Sequence, residues 1–149
     1  MREKFSEMLK DAIRAKDSRR MCTLRLITAA IKDRDIANRG AGKDPVSDED
    51  ILQILIKMIK QREESAAIFE ENARLELSQQ EREEIAIIRQ FLPTQLPDEK
   101  VRELVASVVT ETGASGLRDM GRCMSVLKER YPGQMDFAKA SGIVKGLLQ

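Results

Sequence analysis

Apolar residues recur every three or four positions along almost the whole of this chain, a period that belongs to helices and not to strands. Phe5, Met8, Leu9, Ala12 and Ile13 line one face of a first helix, and Leu24, Ile27 and Ile31 carry a second to about Asn38. The stretch NRGAGKDP stops that helix, with Gly40 and Gly42 suited to its C-terminal end and Pro45 preventing resumption. Ser47, followed by Asp48-Glu49-Asp50, starts a long third helix through Leu55, Met58 and Ile59 toward Phe69. The pattern loosens between Asn72 and Ser78, then Ile85, Ile88, Phe91 and Leu92 mark a fourth helix.

The sharpest boundary is FLPTQLPDEK, because two prolines four residues apart cannot lie inside a helix. Pro97 with Asp98 and Glu99 suits the first turn of a new helix, burying Val101, Leu104, Val105 and Val108 and ending at Gly113. Ser115 is expected to cap a helix in which Leu117, Met120, Met124 and Leu127 recur, and Asp136 to cap a last helix through Ala140, Ile143, Val144, Leu147 and Leu148. The expectation is an all-α protein of two helical subdomains. Residues 1–92 form a bundle of about four helices, 93–97 a linker, and 98–149 a three-helix module. Aromatics at 3% with no tryptophan agree, since a sandwich or barrel draws on more aromatic and β-branched residues.

Several classes of chemistry are excluded by what is missing. The 149 residues contain no histidine, so serine or cysteine catalysis through an imidazole base is out of reach. Two distant cysteines, Cys22 and Cys123, supply too few soft ligands for a zinc site and read as reduced, inert thiols. No phosphate-binding glycine motif of the nucleotide-binding folds is present. No catalytic residue, metal ligand or cofactor is therefore assigned. The start, MREKFSEMLKD, lacks a signal-peptide core, and ILQILIKMI is too short to span a membrane. The chain is expected to be soluble and cytoplasmic, with no membrane partner.

Charge is uneven behind a net value of +1. Residues 1–43 hold 12 Lys/Arg against 6 Asp/Glu, and residues 44–92 the reverse, 6 against 12. A basic first hairpin and an acidic second one are expected to complement each other, in preference to a dedicated nucleic-acid face.

Three stretches carry a resemblance to the GatB/YqeY family: LKDAIRAKDSRRMCTLRLITAAIKDRDI, SDEDILQILIKMIKQREESAAIFEENARLELSQQEREEIAIIRQFLPTQL, and TGASGLRDMGRCMSVLK with a final helix ending in IVKGLL. The family comprises stand-alone YqeY-like proteins and the tail module of the GatB subunit of the tRNA-dependent amidotransferase. The resemblance implies two helical subdomains joined at QFLPTQL and association with tRNA or another structured RNA. The family name implies a carbon–nitrogen ligase with glutamine as amido donor, yet the residues supply no constellation for it, so an enzyme acting alone is not expected. GQMDFAKASGIVK departs from the family, placing Ala140 and Ser141 where bulkier or amide residues often stand.

The glycines of ETGASGLRDMGRC frame the site question. Gly113 reads as a helix end and Gly116 as part of a turn, whereas Gly121 falls within the helical pattern, where it costs about 1 kcal/mol against alanine. Two explanations stay open: close approach of another helix, or of a sugar–phosphate backbone to a helix start whose N–H groups follow Ser115. Arg118 and Arg122, four apart, share a face beside Gly121, and Lys139 and Lys145 extend the candidate patch. The nucleic-acid-binding candidates are thus Arg118, Gly121, Arg122, Lys139 and Lys145. The alternative is a helical protein-interaction module, working through its apolar faces or the acidic residues 63–84, or an accessory to a glutamine-dependent amidotransferase complex.

Overall fold

A computed structural model describes residues 1–149. The chain forms seven α-helices and no strand: α1 (Arg2–Arg14), α2 (Ser18–Gly40), α3 (Asp48–Glu71), α4 (Leu75–Arg89), α5 (Asp98–Glu111), α6 (Met120–Arg130) and α7 (Phe137–Leu148), with a 3-10 turn at Leu117–Asp119 leading into α6. It divides into two compact units, Met1–Phe91 and Leu92–Gln149.

Side chains start three of these helices. Asp17, Ser47 and Asp136 each accept a backbone N–H one turn ahead, from Arg20 at 3.1 Å, Asp50 at 3.2 Å and Ala138 at 2.9 Å. Four helices end alike, in a paired closure in which two N–H groups beyond the helix return to carbonyls of its last turn. At the end of α5, Gly113 N–H reaches Thr110 and Ala114 N–H reaches Val109, both at 3.2 Å. The closure needs a left-handed residue, supplied by Gly42 and Gly113 after α2 and α5 but by Lys16 and Ala73 after α1 and α3.

In the first unit α1 packs on α2, α3 and α4 form a helical hairpin, and α2 lies against both. Phe5, Leu24, Ile27, Ile51, Leu55 and Ile88 are its most completely buried large side chains. The Phe5 and Phe91 rings meet at 4.8 Å between centroids, tilted by 58°. Ile13, expected on the inner face of α1, is 48% exposed, because Phe5 and Ala12 turn inward and carry Ile13 to the edge of the contact.

In the second unit Val101, Val105 and Val108 of α5 close on Cys123 and Leu127 of α6 and on Ala140, Val144 and Leu148 of α7. The turn before α7 adds Met135 and Phe137 to this core. Leu117 and Leu147 were expected on inner faces and are about half exposed. The 3-10 turn takes Leu117 off the register of α6, so that Cys123 becomes the inward residue one turn before Leu127. The segment 93–97, expected as a linker, is tied into this unit: Leu96 N–H donates to the Gln134 carbonyl at 2.9 Å and Gln95 Nε2 to the Gly133 carbonyl at 2.6 Å.

Candidate nucleic-acid interface

The second unit positions Arg118, Gly121 and Arg122 through the turn between α5 and α6. After the closure at Gly113 the chain runs through Ala114 and Ser115 into the 3-10 turn, where Asp119 folds back. Its Oδ2 accepts the Ser115 N–H at 3.0 Å, while its own N–H donates to the Gly116 carbonyl at 2.9 Å. Ser115 does not cap the helix. The Asp119 carboxylate sits where an incoming anion was expected, held below the usual carboxylate range first by the Ser115 N–H and then by Arg122, with help from Gly116 and Arg118. A phosphate at this turn would meet a resident negative charge before it met free N–H groups.

Gly121 is exposed in the first turn of α6, not in mid-helix, and a Cβ built there meets no atom within 4 Å. Packing of another helix does not explain the glycine. Arg122 pairs with Asp119 at 3.5 Å and is 55% exposed, whereas Arg118 makes no ion pair. Lys139, at the start of α7, turns to Asp98 at the start of α5 at 2.8 Å, and Lys145 is exposed and unpaired. The five candidates thus separate into an open element at Arg118–Gly121–Arg122, a lysine engaged with α5, and a lone lysine near the end of α7. Arg102 and Lys128 are further unpaired, exposed cations of this unit that the sequence reading passed over. An isolated cation on a helix carries no signal separating it from solvated surface.

Other polar groups here are structural. Arg130 clamps Glu111 through two bonds of 2.7 Å, joining the ends of α6 and α5. Thr112 Oγ1 donates to the Val108 carbonyl at 2.8 Å and lies 3.5 Å from the sulfur of Cys123, a free thiol buried in the core of this unit. No group of three His, Cys, Asp or Glu is placed to hold a metal ion, and no helix is long and apolar enough to cross a membrane.

In the first unit the expected complementarity of charge is partial. Arg19 of α2 reaches Glu83 at 3.4 Å and Glu84 at 3.6 Å on α4, and the N-terminal amine reaches Asp48 at 3.7 Å. Glu84 is shared with Arg62 of its own hairpin at 2.9 Å, while Glu70 and Glu63 pair only within that hairpin, with Arg82 at 3.2 Å and Arg89 at 2.8 Å. Many cations of the first hairpin, Arg25, Lys32 and Arg39 among them, are left exposed without an ion pair.

Comparison with known proteins matches nearly the whole chain to one family. The family described as Yqey-like protein matches residues 2–148. Among curated proteins, the chain is similar to the "Altered inheritance of mitochondria protein 41, mitochondrial" of several yeasts. That of Saccharomyces cerevisiae strain YJM789 is 33% identical over 112 residues, covering 70% of this chain and 58% of the yeast protein. That of Kluyveromyces lactis is 37% identical over 102 residues, 68% of this chain and 52% of the relative. That of Lachancea thermotolerans is 36% identical over 100 residues, 67% and 51% respectively. The matched part is thus a little over half the length of these relatives.

Proposed function

This chain belongs to the YqeY-like family, and on that premise we propose that it is a non-catalytic helical module that associates with tRNA or another structured RNA. The observation that carries the reading is the open element at the start of α6: an unpaired Arg118 in the 3-10 turn, a glycine with free space above it, and Arg122 one turn on. Exposed ion pairs contribute roughly 0–1 kcal/mol, so Arg122 exchanges Asp119 for a phosphate at little cost. With Asp119 already on the Ser115 N–H, the phosphate is held by the guanidinium groups and not by the helix terminus. Such contacts recognise the shape of a folded RNA more than its sequence.

Fluorescence anisotropy of labelled bulk tRNA at low and physiological salt, with duplex DNA as control, tests this. Arg118→Ala with Arg122→Ala is expected to make the dependence of log affinity on log salt shallower by about 2. Gly121→Ala leaves the fold intact, because a Cβ has open space there, and weakens RNA binding if the backbone approaches closely. Equal weak binding of tRNA and DNA, unchanged by these substitutions, would sink the reading.

One observation favours the second reading, a protein-interaction module. Ile68 and Leu75, on either side of the turn between α3 and α4, are 56% and 67% exposed among acidic residues. The cytoplasmic setting belongs to the proposal as well: it rests on two cysteines that form no disulfide, while the yeast relatives carry "mitochondrial" in their names.

A further inference from the structure

Helix α2 is apolar on two sides. Leu24, Ile27 and Ile31 point inward and are buried, but Cys22, Leu26, Ala29 and Ile36 are exposed, Ile36 to 65% and Leu26 to 41%. Solvation alone does not favour a second apolar line on the outer face of a surface helix. Cys22, Ala29 and Ile36 are seven residues apart, and Arg25, Lys32 and Arg39 fall between and after them at the same interval. Together they make the two alternating positions of a heptad seam, one apolar and one cationic, with about 10 Å between successive cations. The 23 residues of α2 accommodate the whole seam.

None of Arg25, Lys32 and Arg39 makes an ion pair, although Arg2, Arg14 and Arg19 of the same hairpin all do. Asp33 lies on the side of the apolar line away from the three cations, and Asp35, which neighbours Lys32 and Arg39 on the helix, is already engaged by Arg2 and the Val46 N–H.

We infer that the outward face of α2 is a docking seam for an acidic amphipathic helix of a partner protein. The apolar line calls for an occupant that buries hydrocarbon, and the unpaired cations call for one that brings carboxylates. A second copy of the same face would set three cations against three cations. A nucleic acid would answer the cations but leave Ile36 and Leu26 against a sugar–phosphate backbone with nothing apolar to cover them. The seam belongs to the first unit and the α6 element to the second, and the seam stands or falls independently of the RNA reading.

The test uses the full chain and a fluorescently labelled three-heptad helical peptide with leucine at one seam position and glutamate at the other. A control peptide carries lysine in place of glutamate. At low salt the glutamate peptide is expected to bind about tenfold more tightly than the lysine peptide. Arg25→Glu, Lys32→Glu and Arg39→Glu together are expected to reverse that preference. Ile36→Ser is expected to weaken the glutamate peptide about tenfold while helical circular dichroism is unchanged. Reversal of preference on charge reversal is the decisive outcome, because loss of folding cannot produce it. Equal binding of both peptides, or a preference that survives charge reversal, overturns the proposal. So does a labelled RNA duplex whose binding depends on Arg25, Lys32 and Arg39 where the acidic peptide does not bind. Self-association abolished by Ile36→Ser in sedimentation would assign the face to a second copy instead.

Discussion

A side chain in the left-handed region bears a steric cost of about 1–2 kcal/mol that glycine escapes, and Lys16 and Ala73 both sit there, with φ of 55° and 56°. Each is held by the paired N–H bonds of its helix end: Lys16 and Asp17 close on Ile13 and Ala12, Ala73 and Arg74 on Glu70 and Phe69. Glycine loses about 0.4–1 kcal/mol more backbone entropy on folding, which offsets part of the relief. Ala73→Gly is therefore expected to stabilise the protein by about 0.5–1 kcal/mol, and Gly113→Ala to destabilise it by about 1 kcal/mol. Urea midpoints at fixed slope check both. An Ala73→Gly variant no more stable than the parent would mean that the turn between α3 and α4 does not hold its left-handed geometry in solution. Gly121 obeys the opposite logic. Nothing strains its backbone and nothing crowds it, so any need for glycine there must come from outside the chain.

Elements of the first unit are joined by a knot around Asp35. Arg2 of α1 donates both Nη groups to this α2 carboxylate, at 2.6 and 2.8 Å, and gives a further bond of 2.8 Å to the Val46 carbonyl. The Val46 N–H completes the knot on Asp35 Oδ1 at 2.9 Å, tying down the loop that enters α3. The Arg2 bonds first, then the Val46 N–H, lower the Asp35 pKa to about 2. Because the folded value lies below the unfolded one, the stabilisation is fully present above about pH 4 and is lost as pH falls toward 2. Asp35→Asn is expected to flatten the dependence of the urea midpoint on pH between about 4 and 2. Some slope will remain, since Glu70, Asp98, Glu111 and Asp119 are also held low by partners. This knot was not legible in the sequence: Arg2, Asp35 and Val46 carry no periodic signal, and their meeting depends on how α1 and α2 fold together. The helices themselves were legible, because burial of one face imposes the spacing that reveals them, and so were the caps at Ser47 and Asp136. The site was legible only in part. Arg118 and Arg122 share a turn by sequence spacing alone, but the return of Asp119 onto Ser115 is a turn conformation, and Ser115 offered an equally good local cap.

Each unit of the whole molecule has an apolar centre of its own, around Leu24, Ile27, Leu55 and Ile88 in the first and around Val105, Cys123, Leu127 and Val144 in the second. Truncating a fully buried leucine costs about 2–5 kcal/mol, most where the surrounding helices cannot collapse onto the gap. Leu127→Ala is expected to lower amide protection in α5, α6 and α7 by an amount in that range, and Leu55→Ala to do the same in α1 to α4. Native-state hydrogen exchange read by mass spectrometry measures both on the intact chain. Protection lost equally along the whole chain in either variant would show that the two units open as one. Localised loss would show two cooperative units, and that distinction bears on function. An RNA element on α6 and a helix-docking seam on α2 then answer to separate cores, and Leu127→Ala is expected to disturb tRNA binding at α6 while leaving the charge preference of α2 for acidic peptides intact.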